Sequence, residues 1–279
     1  MGIQGLQEYV EANCPTACQQ VDLKAVLYGK KVNNTDKAPV LLVDARSCLK
    51  HLYGPTIDWV CGGQWNEMLR NVENFTRSFR QQNIEIVIYF DGEGESSKLH
   101  QWIKNQNEKR QLTRQILNHV MKFSCYPGKR LYFPPPVVDT CLRLAFLSCG
   151  VSVCTSMDDL HKEMATYCQG EDFAGVIGHH ADFLLFDVPN YFSADHIKFS
   201  KKDITTMRFN REAVLNELKL HHDRLGLFAS LLGTPFISED NLGSFYWNLL
   251  GPDHPLAKVQ VSFFLIFNFM NDLLNVINW

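Results

Sequence analysis

The clearest structural signal in the sequence is the stretch Val40-Leu41-Leu42-Val43-Asp44, in which four apolar residues are followed by an acid. A continuous apolar run of this length is typical of a strand that is buried on both faces of a sheet. Residues 84–90 and 173–177 form similar runs, and residues 151–154 form a weaker one. The sequence therefore predicts three buried strands and a fourth, shorter strand.

Helical periodicity fills the gaps between these strands, over residues 67–81, 97–121, 137–147 and 158–169. Strands that alternate with helices are typical of a mostly parallel sheet with helices on both faces. Beyond residue 210 the pattern is mainly helical. We predict an α/β domain over residues 1–210 and a helical C-terminal portion over residues 211–279 that packs on it.

The charge balance limits the kinds of partner. The chain has 279 residues, with 27 Lys and Arg against 30 Asp and Glu, and a formal net charge of -3. This balance excludes a uniformly basic surface, so a local patch must bind any nucleic acid. No stretch approaches the roughly 18 apolar residues of a membrane span, and the first residues lack a signal-peptide pattern. We expect no membrane partner and a cytoplasmic location, with the nucleus as a second compartment.

Three of the predicted strands are followed by an acid: Asp44, Asp91 and, after a short loop, Asp182. The carboxyl ends of parallel strands meet at one edge of a sheet, where ligands bind. Hard divalent cations prefer carboxylate oxygens, so these three acids are candidate metal ligands. The alternative is that each acid caps the helix that follows it.

Several short motifs occur in a recognisable order: Met1-Gly2-Ile3-Gln4-Gly5-Leu6, residues 42–45, residues 89–92, residues 178–182 and residues 231–233. They resemble the XPG-type and flap-endonuclease-type nucleases, whose fold is a PIN-like α/β domain. Four further stretches, at residues 62–65, 99–104, 191–194 and 247–252, are similar to the constitutive coactivator of PPAR-gamma family, including its PPAR-gamma-like members. The resemblance implies a PIN-like domain of the XPG type, RNA binding and scaffolding, and no established nuclease activity.

The active enzymes of this superfamily hold two Mg²⁺ ions with about seven acids. Position by position, four carboxylates are kept in this chain: Asp44, Asp91, Asp159 and Asp182. At the three other positions, where the active enzymes have an acid, this chain has His161, His180 and, near the third, Pro235. Glu163 lies one helical turn beyond Asp159 and is a candidate substitute for a missing acid. Imidazole suits Mn²⁺ or Zn²⁺ better than Mg²⁺. We therefore expect a catalytically silent site without a resident cofactor, and Mg²⁺ or Mn²⁺ if the site is active.

Residues 238–245 align with the phosphate-binding turn of those nucleases. The stretch contains one glycine, two acids and no lysine. The comparison with the family therefore predicts that this grip on duplex DNA is absent.

Positive charge is concentrated in residues 96–130. This segment contains eight basic residues and a single acid, Glu108, which gives it a net charge of +7. Trp102 and Tyr126 interleave with them, a combination typical of single-strand binding. In the related nucleases this region forms the arch over the active site. The alternative is a solvated amphipathic helix with Trp102 and Ile103 in the core. The candidate nucleic-acid-binding residues are Lys98, Trp102, Lys104, Lys109, Arg110, Arg114, Lys122, Lys129 and Arg130.

Our leading hypothesis is a degenerate nuclease-fold domain that binds RNA or another single-stranded nucleic acid, takes part in a scaffold with protein partners, and does not catalyse. One alternative is a metal-dependent, structure-specific nuclease that uses Asp44, Asp91, Asp159, Glu163 and Asp182 with Mg²⁺ or Mn²⁺. The other alternative is a pure protein-interaction domain.

Overall fold

The computed structural model describes residues 6–29, 37–92, 99–128, 131–217, 220–226, 230, 244–245 and 247–248. The chain divides into two compact units. Unit 1 comprises Met1–Gln20, His180–Tyr191 and Met207–Trp279, and unit 2 comprises Val21–His179 and Phe192–Thr206. Both units are discontinuous in sequence. The predicted division cuts the chain once, between residues 210 and 211, and stays a prediction.

The strands are β1 (Cys18–Asp22), β2 (Val40–Asp44), β3 (Glu85–Phe90), β4 (Ser152–Thr155), β5 (Gly175–Gly178), β6 (Tyr191–Ser193), β7 (Lys198–Phe199) and β8 (Ile204–Phe209). The α-helices are α1 (Leu6–Asn13), α2 (Leu23–Gly29), α3 (Leu49–Leu52), α4 (Trp65–Gln81), α5 (Leu99–Phe123), α6 (Val138–Ser148), α7 (Leu160–Gly170), α8 (Asp182–Leu185) and α9 (Arg211–Glu217). In the part of the chain that the structure describes, no helix is both long and apolar enough to cross a bilayer.

The sheet has the strand order β1-β8-β6-β5-β2-β3-β4, and β7 pairs with β8. In unit 2, β2 lies parallel to both β3 and β5, and β3 lies parallel to β4. The pair of β7 and β8 is antiparallel, so the sheet is mixed. The predicted α/β class is confirmed, and the four predicted strands correspond to β2, β3, β4 and β5.

The four predicted helices are confirmed within about two residues as α4, α5, α6 and α7. Of these, α4, α6 and α7 pack on the sheet, against β3, β4 and β5 respectively. The ring centroids of Phe75 and Phe79 are 5.1 Å apart, and those of Phe75 and Phe146 are 6.3 Å apart. All three rings are buried. This aromatic core fixes the helices that carry the strand-end loops.

The turn that starts α4 explains one motif of the sequence. Gly62, Gly63 and Gln64 all have positive φ, at 68°, 78° and 58°. Residues with a Cβ rarely adopt this conformation, which glycine accepts at no steric cost. The two glycines therefore let the chain turn left-handed immediately before α4.

Candidate functional site

Asp44 ends β2 and is buried, with 1% of its surface exposed. One carboxylate oxygen accepts a hydrogen bond from the backbone N–H of Arg46 at 3.0 Å, and the other accepts from the hydroxyl of Ser47. The Ser47 oxygen in turn accepts from the backbone N–H of His179 at 2.9 Å. Both oxygens of Asp44 thus stabilise the turn after its strand, whereas the N-cap residue of the following helix α3 is Cys48.

Asp91 lies just beyond β3 and is exposed. Its carboxylate is 3.5 Å from the Ser156 hydroxyl, which also accepts from the backbone N–H of Gly92 at 3.0 Å. Arg143 donates to the carbonyl oxygen of Asp91 over 3.3 Å, and its guanidinium lies 4.8 Å from the centre of the Phe90 ring. A permanent positive charge therefore lies at this strand end.

Asp159 and Glu163 both contact the N-terminus of α7. Asp159 is the N-cap residue, and its side chain accepts from the backbone N–H of Lys162 at 3.0 Å. Glu163 accepts from the N–H groups of Met157 at 2.9 Å and Asp158 at 2.5 Å. The bond to Asp159 satisfies one of the backbone donors that a helix start leaves without partners, and the bonds to Glu163 hold the residues that precede the helix. The two acids are therefore engaged by their own chain.

His161 is buried on α7, with 3% of its surface exposed. A ring nitrogen of His161 and a carboxylate oxygen of Asp44 lie within 4.8 Å of each other. The structure thus brings the histidine that replaces an expected acid next to the most buried of the candidate carboxylates. An imidazole beside a carboxylate suits Mn²⁺ or Zn²⁺ better than Mg²⁺.

Basic side chains of unit 2 also lie on α3 and just after β5. Lys50 donates to the Asp195 carboxylate at 2.6 Å, and His179 contacts the other oxygen of the same carboxylate. The His51 ring nitrogen is 3.2 Å from the carbonyl oxygen of Ala194. Burial lowers the pKa of His51, whereas its hydrogen bond to Ala194 acts in the opposite direction.

A buried thiol lies in the same turn. Cys48 is fully buried, and burial raises its pKa, with the Asp44 carboxylate raising it further. The thiol therefore stays protonated at neutral pH and is not a nucleophile.

The remaining predicted positions of the site lie later in the sequence. Asp182 is the first residue of the short helix α8 in unit 1, and its carbonyl oxygen accepts from the backbone N–H of Phe186 at 3.1 Å. His180 also belongs to unit 1, where its carbonyl oxygen accepts from Phe183. The position of Pro235 lies outside the described residues.

The basic segment forms α5, a helix of 25 residues that is about 37 Å long at 1.5 Å per residue. Its basic residues Lys104, Lys109, Arg110, Arg114 and Lys122 are all exposed. Within the described part of the chain, none of the five forms a salt bridge with a carboxylate. Lys98, Lys129 and Arg130 lie outside the described residues.

The alternative of a solvated amphipathic helix placed Trp102 and Ile103 in the core, and that placement is wrong. Trp102 is 57% exposed and Ile103 is 43% exposed, whereas Ile116 is the buried apolar residue of the helix. Tyr126, just beyond α5, is also exposed, and its hydroxyl is 3.3 Å from the Asp58 carboxylate. Hydrogen bonds with Cys61 and Asp58 raise the pKa of Tyr126. Both predicted stacking rings therefore face solvent.

A groove of about 930 Å³ lies along α5, and no motif in the sequence signals it. The opposite wall is formed by residues 133–136 and the start of α6, and Arg46 lies at its edge. Lys109, Arg110 and Arg114 line the groove from α5. Four cations and two acids, Glu108 and Asp139, therefore line the groove.

Solved structures define the class of fold. The catalytic core of Rad2 in complex with DNA substrate matches with a TM-score of 0.54 and 17% identity, over 98% of this chain and 80% of that chain. Human GEN1 in complex with Holliday junction DNA matches with a TM-score of 0.53 and 16% identity, over 99% of this chain and 61% of that chain. Flap endonuclease-1 from Methanococcus jannaschii matches with a TM-score of 0.54 and 14% identity, over 94% of this chain and 77% of that chain. The chain has the PIN-like fold of the XPG and flap-endonuclease nucleases.

Sequence comparison identifies the nearer relatives. The chain is 38% identical, over 94% of its length, to constitutive coactivator of PPAR-gamma-like protein 1 of Homo sapiens, of which it covers 24%. It is 34% identical to human PPAR-gamma-like protein 2 over 79% of its length and 21% of that protein. Residues 218–278 match the FAM120A-like domain. The chain is a relative of the constitutive coactivators of PPAR-gamma, as its motifs predict, and spans about a quarter of the length of these relatives.

Proposed function

We propose that this chain binds single-stranded nucleic acid, RNA above all, as a module of a scaffold. We propose further that it has no catalytic activity. The observation that carries the proposal is the surface of α5, where five exposed cations have no carboxylate partner among the described residues and Trp102 is 57% exposed. Cations that contact phosphates and aromatic rings that stack on bases are the two means by which proteins bind single strands. In keeping with this reading, the DNA complexes of Rad2 and GEN1 share the fold.

The donor set at the strand ends of unit 2 supports the absence of catalysis. The carboxylates of Asp44, Asp159 and Glu163 accept hydrogen bonds from their own chain, and Arg143 places a positive charge beside Asp91. Two Mg²⁺ ions bring four positive charges, which require several carboxylates that are free to coordinate. These residues do not fit such a pair.

Binding is tested with a fluorescent oligouridylate titrated against the chain in an anisotropy assay. Charge reversal at Lys104, Lys109 and Arg110 should weaken binding about a hundredfold at moderate salt, because each lost phosphate contact lowers affinity. The matched control reverses Lys24, Arg70 and Arg77, which are exposed on α2 and α4 and produce the same change in net charge. Equal losses in both variants would contradict a local binding surface.

Catalysis is tested with labelled single-stranded RNA and flap DNA, first in Mg²⁺ and then in Mn²⁺. We expect intact substrates in both metals. Cleavage that Asp44→Ala abolishes would identify the chain as a metal-dependent nuclease and overturn the proposal.

The exposed apolar end of α5 favours protein contact as a second function. Leu117 is 55% exposed and Met121, four residues later, is 81% exposed, so the two lie on one helix face. If the chain fails to bind oligouridylate even at low salt, the protein-interaction alternative is favoured.

The cytoplasm, with the nucleus as a second compartment, stays the expected location, and imaging of a tagged chain tests it.

A further inference from the structure

The groove along α5 contains a feature that lowers its positive charge. Arg46, in the turn after β2, forms a salt bridge of 2.6 Å with Asp139 in the first turn of α6. Both residues line the groove. The two are 93 positions apart in the chain, and only the fold brings them together. One of the four cations that line the groove is therefore neutralised by an acid of the same groove.

The pair is exposed to solvent. The side chain of Arg46 is 56% exposed and that of Asp139 is 24% exposed. Exposed salt bridges contribute little, because water screens them and two side chains must be held in one geometry. A guanidinium also forms two parallel hydrogen bonds with a phosphate as readily as with a carboxylate. A phosphate in the groove can thus displace Asp139 from Arg46 at small cost.

The other cations of the groove are not paired in this way. Lys109, Arg110 and Arg114 form no salt bridge among the described residues, although Glu108 of α5 also lines the groove. Arg110 and Arg114 are four residues apart, so they project from the same face of α5. Phe133 and the prolines that follow it supply a flat apolar wall opposite. Cations on one wall and a ring on the other match a phosphodiester backbone with attached bases.

We propose that this groove holds the phosphodiester backbone of a single-stranded nucleic acid, and that Asp139 competes with the incoming phosphate for Arg46. The inference rests on the proposed function and adds to it a binding residue outside α5 and an acid that weakens binding. Arg46 is a ligand of the phosphate in the bound state. When the groove is empty, Asp139 holds the side chain of Arg46 in a salt bridge. This salt bridge lowers the affinity of the groove for a phosphate.

The test is a double-mutant cycle, with binding of fluorescent oligouridylate measured by anisotropy. Asp139→Asn should tighten binding about fivefold, since an exposed salt bridge no longer has to be broken. The slope of the salt dependence should stay nearly the same, because the number of phosphate contacts does not change. Arg46→Gln in the Asp139→Asn background should cancel the gain in affinity and lower the slope by about 0.7, the contribution of one phosphate contact on a single strand. Thermal unfolding of each variant verifies that it is folded.

The matched control is Glu73→Gln, which removes one negative charge from the exposed face of α4, away from the groove. An equal gain from Glu73→Gln and Asp139→Asn would reduce the effect to overall charge and overturn the competition. A gain that persists after Arg46→Gln would overturn the role of Arg46. Polyglutamate that responds to the variants as oligouridylate does would make the groove an acidic-peptide site. If wild-type chain does not bind oligouridylate at all, the proposed function itself fails, an outcome distinct from binding that Asp139→Asn leaves unchanged.

Discussion

The strand ends of unit 2 and the outer face of α5 use their polar groups in opposite ways. At the strand ends, the carboxylates of Asp44, Asp159 and Glu163 accept hydrogen bonds from backbone N–H groups of their own chain. On α5, the cations and Trp102 face solvent. A nuclease needs the first region to be open to metal and substrate. The strand-end carboxylates thus stabilise local turns of the fold, whereas the cations and Trp102 of α5 are exposed.

The sharpest test of the strand-end region is Gly92→Ala. A Cβ on Gly92 would lie 1.9 Å from the carbonyl oxygen of Ser156, a distance at which backbone must move. We expect the free energy of unfolding to fall by about 3 kcal/mol, as for other severe steric clashes. Urea denaturation measures this change. Gly170→Ala is the control, because a Cβ there meets no atom within 4 Å. An unchanged stability of Gly92→Ala would show that the strand-end region is loosely packed.

The matching test of α5 is Trp102→Ala. Because the ring is exposed, we expect the free energy of unfolding to change by less than about 0.5 kcal/mol. Affinity for oligouridylate should fall about tenfold, since one stacked base contributes about 1–3 kcal/mol. Leu117→Ala serves as the control, because it removes an exposed apolar side chain without a ring. A large loss of stability with unchanged affinity would reverse the roles assigned to the two regions.

The smallest expected effect concerns pH and again belongs to the strand-end region. Burial lowers the pKa of His51 below its usual 6.5 in the folded state, so protons bind more readily to the unfolded chain. The stability that neutral His51 contributes is present above about pH 6.5 and is lost as the pH falls below that value. His51→Gln should flatten this part of the curve of unfolding free energy against pH. An identical curve for the variant would show that other groups cause the acid sensitivity.

Long periodic segments made most of unit 2 predictable from sequence. The apolar runs of β2, β3 and β5 and the helix α4 follow from burial on one or two faces. The strands β1, β6, β7 and β8 were not predicted, because none of them carries a continuous run of four apolar residues. Strands of this kind are defined by their pairing partners rather than by their own sequence.

Sequence periodicity could not decide which apolar residues of α5 are buried. Apolar residues occur on several faces of this helix, and periodicity assigned Trp102 and Ile103 to the core as one alternative. Packing instead buries Ile116 and half-buries Leu112. The pairs of the candidate site show the same limit: Asp159 and Glu163 are local and were named from sequence, whereas Arg46 and Asp139 meet only through the tertiary fold.

The buried thiol beside Asp44 gives the chain an internal reporter of its own unfolding. Cys48 is shielded from solvent and held protonated, whereas Cys61 and Cys125 are exposed. Thiol reagents attack thiolates, so the exposed pair reacts in the native protein and Cys48 reacts only when the turn after β2 opens. The rate at which Cys48 is alkylated thus measures how often this turn opens, without any label being introduced.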